Sequence, residues 1–127
     1  MPGKLCYFNL GGRAEAIRAL LAHKGDFDYE EEKCDFAKLG EWKASGYAPM
    51  GSVPIWDEDG LVIMQGNAIL RMLGIRFGGY YSSDPQTAYE IDSLMDFQED
   101  ILNKFGGYVF PKVMGKGEVG TGIVNRE

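Results

Sequence analysis

An α/β domain, built as a βαβ unit followed by a ββα unit and then continued by one long helix, is the architecture this chain's residue pattern predicts. Three observations carry it. The β-rich run Lys4-Leu5-Cys6-Tyr7-Phe8-Asn9 passes through Gly11-Gly12 into residues 13–21, a strong helix former with apolar side chains at Ala14, Ile17, Leu20 and Leu21. Asp59-Gly60 separates two short apolar runs in the way a tight hairpin requires. Ile91, Leu94, Met95, Gln98, Ile101, Leu102 and Phe105 then fall on one helical stripe wide enough to need other helices against it.

The first helix closes at Gly25, with His23 and Lys24 in its last turn, where cations suit the helix dipole; that accounts for the single histidine. Residues 27–30 alternate as a second strand, and an irregular loop leads on to Pro54. Residues 54–56 and 61–64 form the hairpin. Gly66 or Asn67 starts the next helix, which ends at Gly78-Gly79, and Pro85 is a good first residue for the long helix, expected over about 85–108. The domain boundaries expected are therefore 1–79 for the α/β domain and 80–127 for the beginning of an all-helical domain, with no internal repeat. Residues 115–121, Gly-Lys-Gly-Glu-Val-Gly-Thr, lack the Lys-Ser/Thr pair of a phosphate loop and read as an ordinary loop.

Composition narrows the function. With 127 residues and 45% apolar content, the chain has room for one compact domain and a little more. A formal charge of −6, with no run of Lys or Arg, argues against nucleic acid or an anionic membrane surface as partner. Cys6 and Cys34 form neither a Cys-x-x-Cys pair nor a metal-ligand cluster, so neither a disulfide framework nor a metal site is expected. A first strand at Lys4 leaves no space for a targeting peptide, and no apolar stretch reaches membrane-spanning length. The expected setting is cytoplasmic.

Two stretches carry the chemistry. In Met50-Gly51-Ser52-Val53-Pro54-Ile55, a proline at the mouth of a strand suits a cis Val53–Pro54 bond, which would leave the Val53 N–H and C=O available to a ligand's backbone. In Met64-Gln65-Gly66-Asn67, a turn opens a helix whose first N–H groups lack intrahelical partners and welcome a carboxylate. Together they describe a site for a short peptide bearing carboxylates. Either alone is better read as an ordinary strand edge or an ordinary helix cap.

The combination of Tyr7-Phe8, the glycine loop, Gly-Arg-Ala-Glu and Ile17-Arg18 resembles the start of a cytosolic glutathione transferase of the tyrosine type, the sigma, pi and mu group. Lys43-Ala44-Ser45, Gly51-Ser52-Val53-Pro54, Asp57-Glu58-Asp59-Gly60, Gln65-Gly66-Asn67 and Ile69-Leu70-Arg71 continue the resemblance in order, over about residues 4–110. The resemblance implies a thioredoxin-like domain whose co-substrate is glutathione, with no other cofactor. It implies that Tyr7 stabilises the glutathione thiolate and that Val53, next to Pro54 and Ser52, pairs with the cysteinyl backbone. Gln65 and Gly66 would hold the γ-glutamyl carboxylate, Lys43 would face the glycyl carboxylate, and Arg13 would line the cleft. Phe8 would help receive a small hydrophobic electrophile. Asp100 would reach the γ-glutamyl ammonium of a partner subunit, which implies a homodimer or an assembly subunit, with Tyr47 or Met50 inserting into the partner.

A free thiol ionises near 8.5, so a conjugating enzyme must raise its thiolate fraction at neutral pH. One hydrogen bond from a tyrosine hydroxyl contributes roughly 1.5–3 kcal/mol, which is one to two pKa units. Cys6 competes with Tyr7 for that role, but strand alternation sends the two to opposite faces, so a cleft-facing Tyr7 makes Cys6 a core residue. Departures from the family pattern are Gly66 for serine, Ser52 for glutamine, and Phe36-Ala37 near the place of a tryptophan for which Trp42 would be a substitute. These losses, together with a short helical region, keep a second expectation open: a non-catalytic glutathione-transferase-like scaffold subunit. A glutaredoxin-like reductase is a third, opposed by the placement of Cys6.

Overall fold

A computed structural model describes residues 3–113, and residues 114–127, which include the glycine-spaced run at 115–121, lie outside the described residues. The chain divides into two compact units, Met1–Ser82 and Ser83–Glu127. In the first, strand β1 (Gly3–Phe8) leads through a 3-10 turn (Gly12–Ala14) into helix α1 (Glu15–Lys24), then strand β2 (Tyr29–Cys34) and helix α2 (Phe36–Ser45). Strands β3 (Ile55–Glu58) and β4 (Leu61–Met64) and helix α3 (Gly66–Phe77) complete it. The sheet order is β2-β1-β3-β4, with β1 parallel to β2 and antiparallel to β3. This is the thioredoxin-like α/β arrangement expected.

The hairpin turns through Asp59 and Gly60 with φ of 53° and 83°. Two successive positive φ values match the right-handed twist of the flanking strands. Helix α1 ends as expected at Gly25, whose φ of 79° is left-handed and whose N–H donates to the Leu21 carbonyl at 3.1 Å. His23 lies in that last turn and its Nδ1 is 2.6 Å from the Tyr80 hydroxyl.

Two expectations need correction. The second strand runs from Tyr29 to Cys34 rather than over 27–30. Its charged sequence concealed it, because β2 is an edge strand, where charges outside the core and against edge pairing are favourable. The irregular loop expected before Pro54 contains a helix, α2. The Asp35 carboxylate caps it by accepting the Lys38 N–H at 2.8 Å, and Gly46, at φ 81°, closes it.

The core is the layer between the sheet and its helices. Leu5 and Trp56, paired on one face of the sheet, are buried in one cluster with Ile17 and Leu21 of α1 and Ile69 and Leu73 of α3, while Ile55, paired with Cys6, is buried on the opposite face. Burying a large aliphatic side chain contributes roughly 1.5–3 kcal/mol, so this cluster anchors β1 and the start of α3, the two places that matter for the site. On the other side, Trp42 and Leu39 of α2 are buried.

In the second unit, helix α4 (Pro85–Val113) starts at Pro85 as expected and continues past position 108, with Pro111 in its last turn. Asp84 caps it, accepting the Thr87 N–H at 3.0 Å and the Thr87 hydroxyl at 2.9 Å; these bonds hold its carboxyl below the usual range. The apolar stripe is wider than the seven residues expected. Leu94, Phe97, Ile101 and Phe105 are each more than half exposed, whereas Met95 is buried. Among the described residues no helix is long and apolar enough to cross a membrane.

Replacing Asp35 by Ala removes the side-chain cap of α2 and is expected to cost about 1 kcal/mol of stability. Urea unfolding followed by circular dichroism measures it, and a change below about 0.3 kcal/mol would show that the cap is dispensable.

Candidate functional site

Strand β1 carries Cys6, Tyr7 and Phe8 on alternating sides. Cys6 is 0% exposed and faces the α2 side, where its Sγ lies 3.8 Å from the Tyr47 hydroxyl. Burial pushes its thiol up to about 11, against a weaker lowering by that hydroxyl. A thiol so buried and so high is a core residue and not a nucleophile. Tyr7, on the opposite face, is itself 5% exposed, because both faces of the central strand are covered. Its ring belongs to the core. Its hydroxyl is held at the strand end, where it accepts the Arg13 backbone N–H at 3.0 Å.

That bond depends on a glycine. Gly12 has a φ of 49°, and a Cβ there would collide with the Tyr7 hydroxyl and press on Leu10. Arg18 supports the same loop, donating from Nη1 to the Leu10 carbonyl at 2.8 Å and from Nε to Glu31 at 2.6 Å. Its guanidinium carbon lies 5.9 Å from the Tyr7 ring centroid. Neither residue was given a role from sequence, although the glycine loop and Ile17-Arg18 both belong to the motifs that carry the family resemblance.

The Val53–Pro54 bond is cis, as expected. The β1–β3 and β3–β4 ladders begin at Ile55, so Val53 lies outside both. Gly66 brings three segments together: a Cβ on it would meet the Arg13 carbonyl at 3.3 Å and the Pro54 Cγ at 3.5 Å. The start of α3, the Tyr7-bonded turn and the cis proline are therefore neighbours. Gln65 precedes the helix with φ 79° and ψ 110°, a conformation that costs a non-glycine residue about 1–3 kcal/mol and tends to occur at ligand sites. Its Nε2 donates to the Met50 sulfur at 3.5 Å.

Lys43, on the last turn of α2, lays its stem beside Gly51, with Cε 3.4 Å from the position of a Cβ there. That places an exposed cation by the loop of Ser52 and Val53. Phe8 is half-buried, its ring 5.5 Å from Tyr7 and 5.0 Å from Phe36, which is 51% exposed. Trp42, offered as a substitute for the family tryptophan, lies in the core with its ring 5.6 Å from Tyr47. The Tyr47 hydroxyl donates to Asp57 at 2.7 Å, and Met50 is an exposed apolar side chain of the same loop. Asp100 is an exposed residue of α4, in the second unit. Among the described residues no group of three or more His, Cys, Asp or Glu side chains has the placement to hold a metal ion.

The thioredoxin-like domain thus sets a fixed phenol, a backbone edge outside the sheet and the start of a helix side by side. Residues 3–74 match the family model described as glutathione S-transferase, N-terminal domain, and the chain belongs to that family. Probable glutathione S-transferase 6 of Caenorhabditis elegans is 37% identical over 107 residues, 84% of this chain and 50% of that protein. Hematopoietic prostaglandin D synthase of Gallus gallus is 38% identical over 107 residues, 83% of this chain and 51% of that protein. A Nu-class GST from Haemonchus contortus superposes with a TM-score of 0.69 at 35% identity, covering 84% of this chain and 50% of the other. The chain spans about half the length of the curated relatives it matches.

Because Gln65 is held at positive φ, Gln65→Gly is expected to raise stability by about 1 kcal/mol, the strain relieved exceeding the added unfolded-state entropy. A denaturation midpoint that falls instead would show that the Gln65 side chain stabilises the fold.

Proposed function

We propose that this chain binds glutathione in the first unit and activates its thiol for conjugation to, or isomerisation of, small hydrophobic electrophiles, with Tyr7 as the catalytic residue. The observation that carries this is the Arg13 N–H to Tyr7 bond. Having accepted that N–H, the phenol oxygen directs its own proton toward a guest, and a donor held in place before the thiolate arrives costs little reorganisation. The guest's anchors lie around it. The Val53 backbone suits the cysteinyl part, Gln65 and the Gly66 N–H at the start of α3 suit the γ-glutamyl carboxylate, and Lys43 suits the glycyl carboxylate.

Glutathione is then a co-substrate, and no further cofactor enters. Phe8 and Phe36 offer an aromatic wall beside Tyr7 for the electrophile. Arg13 contributes its backbone N–H to the phenol, and its side chain would line the cleft. In a homodimer Asp100 would serve the partner's γ-glutamyl ammonium, and Met50 would be the residue inserted into the partner. The two cysteines, one buried and one half-buried and neither in a disulfide, suit a reducing, cytoplasmic setting.

Tyr7→Phe is expected to reduce conjugation of a chlorodinitrobenzene-type substrate at neutral pH by roughly ten- to a hundredfold, and to move the rising limb of the pH profile toward about 8.5. Glutathione affinity by calorimetry should change little, because the anchors remain. Unchanged activity in the variant would remove Tyr7 from the mechanism. A wild-type chain that takes up no glutathione would favour the non-catalytic subunit instead.

Gly66→Ser supplies a hydroxyl to the carboxylate at the helix start, while its Cβ requires the Arg13 carbonyl to give by a few tenths of an ångström. The charge-assisted bond is worth more than that small adjustment, so affinity should rise by roughly three- to tenfold. No gain in a titration would place the carboxylate elsewhere.

A further inference from the structure

The loop of residues 46–54 carries Ser52 and Val53 and, through Gly51, supports the stem of Lys43. Its own backbone bonds are local. The Ala48 N–H donates to the Trp42 carbonyl at 3.0 Å, and the Gly51 N–H donates to Ala48 at 2.9 Å. Such bonds shape a turn without placing it against the sheet.

Tyr47 supplies the placement. Its ring lies 5.6 Å from that of Trp42 on α2, and its hydroxyl donates to Asp57 Oδ2 on β3 at 2.7 Å. The Cys6 thiol on β1 is 3.8 Å from the same hydroxyl. With the phenol proton directed to a carboxylate, the thiol is the donor of that second bond. Lys4 lies with its Nζ 5.8 Å from the ring centroid. Lys4 and Asp57 are themselves paired across β1 and β3, as are Cys6 and Ile55. One side chain thus joins the loop to both central strands. Burial, then the bond to Asp57, keeps its phenol well above the ordinary value, so it remains a donor.

We infer that Tyr47 is a positioning residue: its hydrogen bond to Asp57 holds the loop so that Lys43, Ser52 and Val53 stay in register with Tyr7, and the two ends of glutathione are bound at once. This rests on the glutathione reading. Without the hydroxyl the ring still packs on Trp42, so the fold persists while the loop gains freedom, and the loss falls on affinity.

The test is calorimetric titration with glutathione, combined with conjugation kinetics, for Tyr47→Phe, Asp57→Asn, Asp57→Leu and the double variant Tyr47→Phe/Asp57→Leu. Tyr47→Phe and Asp57→Leu should each weaken glutathione by roughly five- to twentyfold, and Asp57→Asn by less than about threefold, because its amide oxygen still accepts. The double variant should be no worse than either single change, since all remove one bond. The KM for glutathione should follow affinity while kcat at saturation stays within about twofold, because Tyr7 is undisturbed. Amide exchange at Ala48 and Gly51 should quicken while Leu5 and Ile55 remain protected.

Wild-type affinity in Tyr47→Phe, additive losses in the double variant, or a fall in kcat at constant KM would each overturn the inference. A wild-type chain that binds no glutathione overturns the ligand reading and this inference with it, and the wild-type titration alone separates that case from the others.

Discussion

The bond from the Arg13 N–H to the Tyr7 hydroxyl is the constraint from which the rest of the site is built. It joins the end of β1 to the turn that starts α1, and it can form because Gly12 has no side chain to occupy the space. A phenol on a strand is by itself an ordinary core residue, and Tyr7 is nearly as buried as one. What distinguishes it is that one lone pair is satisfied by a fixed backbone donor, which orients the hydroxyl without using its proton. Arg18 secures the same turn from outside by holding the Leu10 carbonyl and Glu31.

The second anchor is the start of α3. Gly66 lies against the Arg13 carbonyl and Pro54, so the helix start, the cis proline and the Tyr7 turn form one continuous surface. The helix is fixed from behind by Ile69 and Leu73 in the core. That packing maintains Gln65 in its unfavourable backbone conformation, since relaxing it would move a helix whose inner face is fully buried. Stability in the core therefore sustains strain at the start of α3.

The wall opposite is made differently. Lys43 stands on a helix whose cap, Asp35, and terminal Gly46 set its length, and the loop after it is tied down by Tyr47. Trp42 and Tyr47, which the family resemblance suggested as contact residues, pack on one another, and Tyr47 also bonds to the sheet. Loops on the surface need such internal anchors when they present backbone groups to a guest.

Much of this was legible in the residues themselves. The hairpin at Asp59-Gly60, the glycine at the end of α1, Pro85 at the start of α4 and the opposite facing of Cys6 and Tyr7 follow from local backbone preference and from the periods of strand and helix. Helix α2, in place of the irregular loop expected, was also legible in principle through the Asp35 cap and Gly46. Edge strand β2 was displaced because charge masks strand periodicity where one side lacks a neighbour. Tertiary structure alone decided which aromatic side chains close the core and which stay exposed, that the Tyr7 hydroxyl leaves no room for a side chain at position 12, that Arg18 lies over its ring, and that Tyr47 reaches Asp57. Each of these depends on contacts between segments far apart in the chain, and such contacts are set by how the layers pack rather than by the preferences of any one stretch.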